Sequence, residues 1–244
     1  DYEGPTHNGM GATGWGSFAA GAYNRASGAG AVAIGFHNVA GPTGSDITTI
    51  PPSTTNLGGQ FAVGYGTQAT GHTAFSSGFS TVASGNYSTA MGNDSDASGN
   101  YSTAFGYGTT ALGTISTAMG LATNANGYAA TAMGFNSTAG GNYSTAMGYQ
   151  STASGNYSTA MGEGSTASGN RSTAMGKTTT ASDFASVVIG QYNDSGSSVT
   201  NNATSFNTAN TAFVIGNGTS GSLSDAFKVM FNGDTTVSND LTVS

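Results

Sequence analysis

The sequence predicts an all-β fold: a parallel β-roll, or β-solenoid, with 14 residues and two short strands per coil. Three observations predict it. The word Ser-Thr-Ala-Met-Gly returns in phase at 88–92, 116–120, 144–148, 158–162 and 172–176, with Ser-Thr-Ala-Phe-Gly in step at 102–106. The glycine that closes the word holds register at Gly64, Gly78, Gly92, Gly106, Gly120, Gly134, Gly148, Gly162, Gly176 and Gly190. Each unit of 14 also divides into two sevens of the form Ser-x-Ala-x-Gly plus two residues. The second glycine is as regular as the first, at Gly71, Gly85, Gly99, Gly113, Gly127, Gly141, Gly155 and Gly169. A strict short period means one small unit stacked many times, each burying its surface only against its neighbours. Such rods display, space and adhere.

Within each seven, five residues suit a short strand, and glycine with the following pair suits a tight turn that needs positive φ. Helix is disfavoured by the recurrent glycine, the abundant threonine and the lack of an apolar i, i+3, i+4 stripe. Side chains alternate along a strand. Ser144, Ala146 and Gly148 therefore share one face, while Thr145 and Met147 share the other; Ser151, Ala153 and Gly155 behave likewise. The small residues are expected to meet inside the coil, which makes the roll flat and thin.

The outward face carries the signal. The slot before the first glycine holds Val63, Ser77, Met91, Phe105, Met119, Met133, Met147, Met161, Met175 and Ile189. The equivalent slot of the second strand is polar, as at Ser84, Ser98, Ser154, Ser168 and Ser182. One outer face is thus a continuous apolar stripe, too long to leave in water. Burying each Met, Phe or Ile stabilises by roughly 1.5–3 kcal/mol. The stripe is expected to pack against further copies of the same chain.

Taken in order, residues 1–13 form an N-terminal segment and residues 14–218 the β-roll head. Two stretches break the period. Gly35 and Gly64 lie 29 positions apart, one coil plus 15, which places an insertion at about 41–58. Gly190 and Gly216 lie 26 apart, with the excess at about 195–207. Insertions of this kind emerge as loops on one side of a solenoid and often carry binding. Asp46, Ile47, Ile50 and Pro51 are the candidate binding residues of the first. After Gly218 the texture changes, and 219–244 reads as a β-hairpin connector: residues 226–231, the turn Asn232-Gly233, then 234–238. Residues 241–243 suggest a further strand. The chain starts at Asp1 and stops at Ser244 in mid-pattern, so sequence is expected on both sides.

These residues resemble a known pattern. Ser-x-Ala-x-Gly at sevens, with a large apolar residue in alternate copies, resembles the YadA-like head repeat of trimeric autotransporter adhesins, a repeat shared by some virus and phage fibres. Ala33-Ile34-Gly35, residues 88–106 and 144–162, and Val188-Ile189-Gly190 carry the likeness, which covers about 14–218. The resemblance implies a left-handed roll, three chains around one axis, and the apolar slot turned toward that axis. The trimer interface would then comprise Ile34, Val63, Met91, Phe105, Met119, Met133, Met147, Met161, Met175, Ile189 and Ile215. Methionine replaces the usual branched aliphatic in most coils, which makes a softer, more adaptable interface.

Composition narrows the function. Charged residues are only 6% of the chain, and four basic residues in a net charge of −7 argue against nucleic acid and anionic membranes as partners. No apolar run approaches the ~18 residues of a membrane-spanning helix. The lack of cysteine rules out disulfides and thiolate metal sites. His7, His37 and His72 have no acidic partner at triad or ligand spacing. Asp94 and Asp96 form a lone Asp-x-Asp, too sparse for calcium. No enzyme, cofactor or metal site is indicated.

Two ladders remain. Asn86, Asn100, Asn142, Asn156 and Asn170 mark one turn, each beginning an Asn-x-Ser sequon and most followed by tyrosine. Stacked side-chain amides at a turn explain them without a glycan. Thr89, Thr103, Thr117, Thr131, Thr145, Thr159 and Thr173 form the other, with hydroxyls ~4.8 Å apart. Flat threonine arrays can bind ice, yet the neighbouring rank here is Met or Phe, which argues against that class. The expectation is a homotrimeric extracellular fibre head, on a cell surface or a virion, that attaches to a glycan or matrix-protein receptor by multivalent display. A purely structural spacer or filament is the main rival.

Overall fold

A computed structural model describes residues 11–41, 58–194 and 202–238. Among these residues the chain is an all-β solenoid of about 12 turns, with no helix. It divides into two compact units, residues 1–119 and 120–244. The candidate loop residues Asp46, Ile47, Ile50 and Pro51 lie outside the described residues.

In the first unit each coil contributes one strand of five residues and one of two, for example Thr89–Asn93 and Asp96–Ala97. Each pairs in parallel with the corresponding strand of neighbouring coils at the same phase, Thr89 with Phe75 and Thr103, Asp96 with Val82 and Thr110. The roll's first described strand is Gly11–Ala12, paired with Arg25–Ala26. The second unit repeats the scheme from Thr131–Phe135 to Val187–Gln191. It ends differently. Thr211–Asn217 pairs in parallel with Val187–Gln191 on one side and antiparallel with Asp225–Met230 on the other. Asp225–Met230 then turns through Asn232 and Gly233 into Thr235–Val237. This antiparallel end satisfies a sheet edge that would otherwise offer free backbone groups.

The interior is as thin as the alternation implies. Among the described residues, every buried apolar side chain is alanine except Val188 and Val214. The serines face inward with them. Ser95 donates to the Gly106 carbonyl at 3.0 Å, and Ser151 to that of Gly162 at 2.9 Å, so a hydroxyl meets a carbonyl in the next coil. Near the N-terminus asparagine fills the same column. Asn38 is fully buried, donates to the Gly64 carbonyl at 2.8 Å and accepts from the Thr67 amide at 2.9 Å.

The strand frame differs from the expected Ser-to-Gly span by one residue. Ser88 belongs to the turn, where its hydroxyl donates to the Gly85 carbonyl at 2.6 Å. Pairing instead begins at Thr89 and runs past Gly92 to Asn93. The glycines differ too. Gly92 has φ +113, and a Cβ there would fall on the carbonyl oxygen of Gly106. Gly85 has no positive φ; it is glycine solely because a Cβ would meet the carbonyl of Gly99. The left-handed residue of that turn is Tyr87, at φ 57, with Tyr101, Tyr143 and Tyr157 repeating it.

Candidate self-association face

The outer face of the five-residue strands is a site made of columns. Alternation sends the first, third and fifth residue of each strand outward. The third column contains the slot residues. In the first unit, Ile34 pairs with Val63, Val63 with Ser77, Ser77 with Met91 and Met91 with Phe105. Met119 lies on the strand Thr117–Leu121. In the second unit, Met133, Met147, Met161, Met175, Ile189 and Ile215 pair in unbroken succession. None of these side chains is buried within the chain. Phe105 is 47% exposed, Met119 38% and Ile215 37%, and the rest are half-buried against the coils above and below.

Two further columns flank the slot; the sequence reading had the threonine ladder of the first but passed over its aromatic start and the fifth column. The first holds Phe18, Val32, Phe61 and Phe75 before threonine takes over. Phe61 and Phe75 stack with centroids 5.3 Å apart. The fifth holds Phe36, Tyr65 and Phe79, stacked at 5.1 Å per step, and in the second unit Phe135 and Tyr149 at the same spacing. Their signal was available: an aromatic one residue after the closing glycine is two residues from the slot, hence on its face. Farther along that column Glu163 and Lys177 pair at 3.5 Å.

The turn ladders are engaged in structure. The side-chain carbonyl of Asn100 accepts the Asn86 backbone amide at 3.0 Å, and Asn156 accepts that of Asn142 at 2.9 Å. Each asparagine thereby satisfies a turn amide of the preceding coil. The tyrosines beside them stack face to face, Tyr87 on Tyr101 and Tyr143 on Tyr157 at 5.0 Å. Arg171 closes the second stack, its guanidinium 5.4 Å from the Tyr157 centroid and 5.3 Å from that of Phe184. Ring faces that cover one another leave mainly edges and hydroxyls to solvent.

On the two-residue strands, burial beside Val82 pushes the Asp96 carboxyl up, an effect partly offset by its hydrogen bond with Ser98. Among the described residues no group of three or more His, Cys, Asp or Glu could hold a metal ion. No helix among them is long and apolar enough to cross a membrane.

Residues 12–38, and eight overlapping windows stepping by 14 from 69–95 to 167–193, match the family model described as YadA head domain repeat (2 copies). The chain belongs to the YadA head-repeat family. Comparison with curated proteins found no match. In this YadA-type head the matched windows carry most of the outward columns of both units, with Phe61, Val63, Tyr65 and Ile215 outside them, so the repeat that defines the family also builds most of the apolar face.

Proposed function

We propose that the chain is the head of a homotrimeric extracellular fibre, on a cell surface or a virion, that attaches to its target without catalysing a reaction. Three left-handed rolls would turn their third columns toward a common axis. One observation carries this reading: large apolar side chains stand in register on an outer face, while among the described residues the interior holds no apolar side chain larger than valine. Such a face gains free energy only when another surface covers it. A second copy is its natural complement, because both present the same coil spacing. Attachment would rest on many weak contacts along the polar faces, raising avidity without a strong single site. Host glycans or matrix proteins suit a weakly acidic surface rich in Asn, Tyr and Thr; nucleic acid does not.

Sedimentation equilibrium of the recombinant chain tests the assembly. Three times the chain mass is expected, and a folded single chain overturns the reading. Peroxide should oxidise Met133 and Met147 far more slowly than the free amino acid. For attachment, binding to immobilised matrix proteins and glycans is expected, with loss on deletion of residues 45–56. A trimer that binds none of them is a spacer.

A further inference from the structure

In the first unit the first and third columns of the apolar face vary in opposite senses. Where the first column there is phenylalanine the slot is smaller: Phe18 beside Ala20, Phe61 beside Val63, Phe75 beside Ser77; in the second unit, next to the antiparallel end, Phe213 stands beside Ile215 and the relation does not hold. Where the first column is threonine the slot is large, Thr89 beside Met91 and Thr103 beside Phe105. Bulk moves sideways while the total per coil stays nearly level. Solvent imposes no such compensation. A partner of constant shape packed across both columns does.

The second unit shows what compensation alone leaves undecided. Four consecutive coils, beginning with Thr131 and Met133, present identical pairs of threonine and methionine. Sliding one copy along another by one coil there replaces each pair by its duplicate. Those coils confer adhesion between copies and no register. The coil Phe75–Phe79 behaves otherwise. Slipped by one coil, Phe75 of one copy comes level with Met91 of the next, and Ser77 with Thr89. Bulk then meets bulk and small meets small, so within that one layer one contact is overpacked and the other is left with a void.

We infer that the coil Phe75–Phe79 is the register pin of the assembly: it locks copies of this chain at the same height, which the threonine–methionine coils cannot do. It stands at the junction where the first column passes from phenylalanine to threonine, and a break of that kind in a repetitive seam fixes alignment as an exceptional residue does in a coiled coil. The inference rests on the self-association reading above and adds to it the alignment of the copies.

The chain has no cysteine, so introduced thiols report without background. Chains bearing Ile34→Cys and chains bearing Val63→Cys are mixed, unfolded, refolded together and oxidised. Disulfide-linked peptides are then identified by mass spectrometry. These slot positions pair in adjacent coils of the same unit as the pin. Copies in register give only 34–34 and 63–63 links. Copies slipped by one coil give 34–63 links, since a disulfide tolerates little Cα separation.

In the native background the mixed link should stay at background. With Phe75→Thr and Ser77→Met together, which turn the coil into the common type, it should rise to the share random pairing gives. Ser77→Met alone adds bulk to an outward position, so it serves where the double variant does not fold, and it should raise the mixed link too. A double variant that stays trimeric with only like-with-like links overturns the pin, as does a native chain already rich in mixed links. A trimer that forms no disulfide at either position overturns the axial placement of the slot and the pin with it. A folded monomer by sedimentation instead fails the self-association reading itself.

Discussion

Two adjacent glycines allow the coil-stacking argument to be tested with a built-in control. Gly140 and Gly141 both lie outside the positive-φ region, so neither owes its identity to backbone conformation. Around Gly140 there is nothing within 4 Å of where a Cβ would stand, whereas at Gly141 that atom would land on the carbonyl oxygen of Gly155. Gly141→Ala must therefore push two coils apart. The amides of Gly140 and Gly141 both donate to the Ala153 carbonyl, at 2.9 and 3.1 Å, and both bonds lengthen. At about 1 kcal/mol per bond that is about 2 kcal/mol, and overpacking adds about 1 kcal/mol or more. A total near 3 kcal/mol lowers Tm by roughly 6–12 °C in a chain of this size. Gly140→Ala, by contrast, only restricts the unfolded chain and gains about 0.4–1 kcal/mol, a rise of roughly 1–4 °C. Scanning calorimetry and far-ultraviolet circular dichroism, on samples matched for oligomeric state, read both. Equal shifts for the two variants, or the larger loss at Gly140, would refute the claim that close coil approach dictates these glycines.

Three further outcomes follow from single residues. Gln60 is fully buried, with neither its side-chain oxygen nor its nitrogen hydrogen-bonded, in a column where Ala31 and Ala74 stand above and below it. Gln60→Met keeps the volume and removes the desolvated amide, so urea unfolding should show a gain of about 1–3 kcal/mol. Asp96 holds its proton more tightly folded than unfolded, because burial raises its pKa. Its contribution is complete below the unfolded value and is lost as pH rises through the folded one. Asp96→Asn should flatten that decline, leaving the variant more stable at neutral pH, as read from urea midpoints measured from acid to neutral pH. Ile115 is an exposed β-branched residue held at φ +63. Ile115→Asn should stabilise by about 1 kcal/mol by thermal melting, since asparagine tolerates the left-handed region far better.

The solenoid and the character of its faces were legible because both depend on phase. A slot that recurs every 14 residues must stack on itself, and alternation then assigns Ala146 inward and Met147 outward with no further information. What escaped was whatever depends on distance. Gly85 and Gly92 are indistinguishable as letters, yet one answers only to a neighbouring carbonyl and the other also to φ. The left-handed position fell to Tyr87, a residue type that carries no turn signal. The aromatic fifth column was missed because its members differ from coil to coil, Phe79 then Asn93 then Tyr107, and so never form a word. The asparagine ladder was read correctly as a turn device, although its bonds are donated by backbone amides to side-chain oxygens rather than exchanged between side-chain amides.

These gaps share a physical origin that bears on assembly. Among the described residues the interior holds alanine, serine and threonine with a few valines, asparagines and Gln60, and no methionine, phenylalanine or tyrosine is buried there. Burial of methionine and phenylalanine, the strongest driving force available to the sequence, therefore lies outside the single chain. Under the trimer proposal substitutions on the two faces of a strand have different consequences. Ala146→Leu overfills a closed interior in every copy, whereas Met147→Ala leaves the coil intact and weakens only the contact between copies. Met147→Ala dissociating at concentrations where Ala146→Leu, though less stable, still sediments as the trimer is the signature expected of a fold completed by its own assembly.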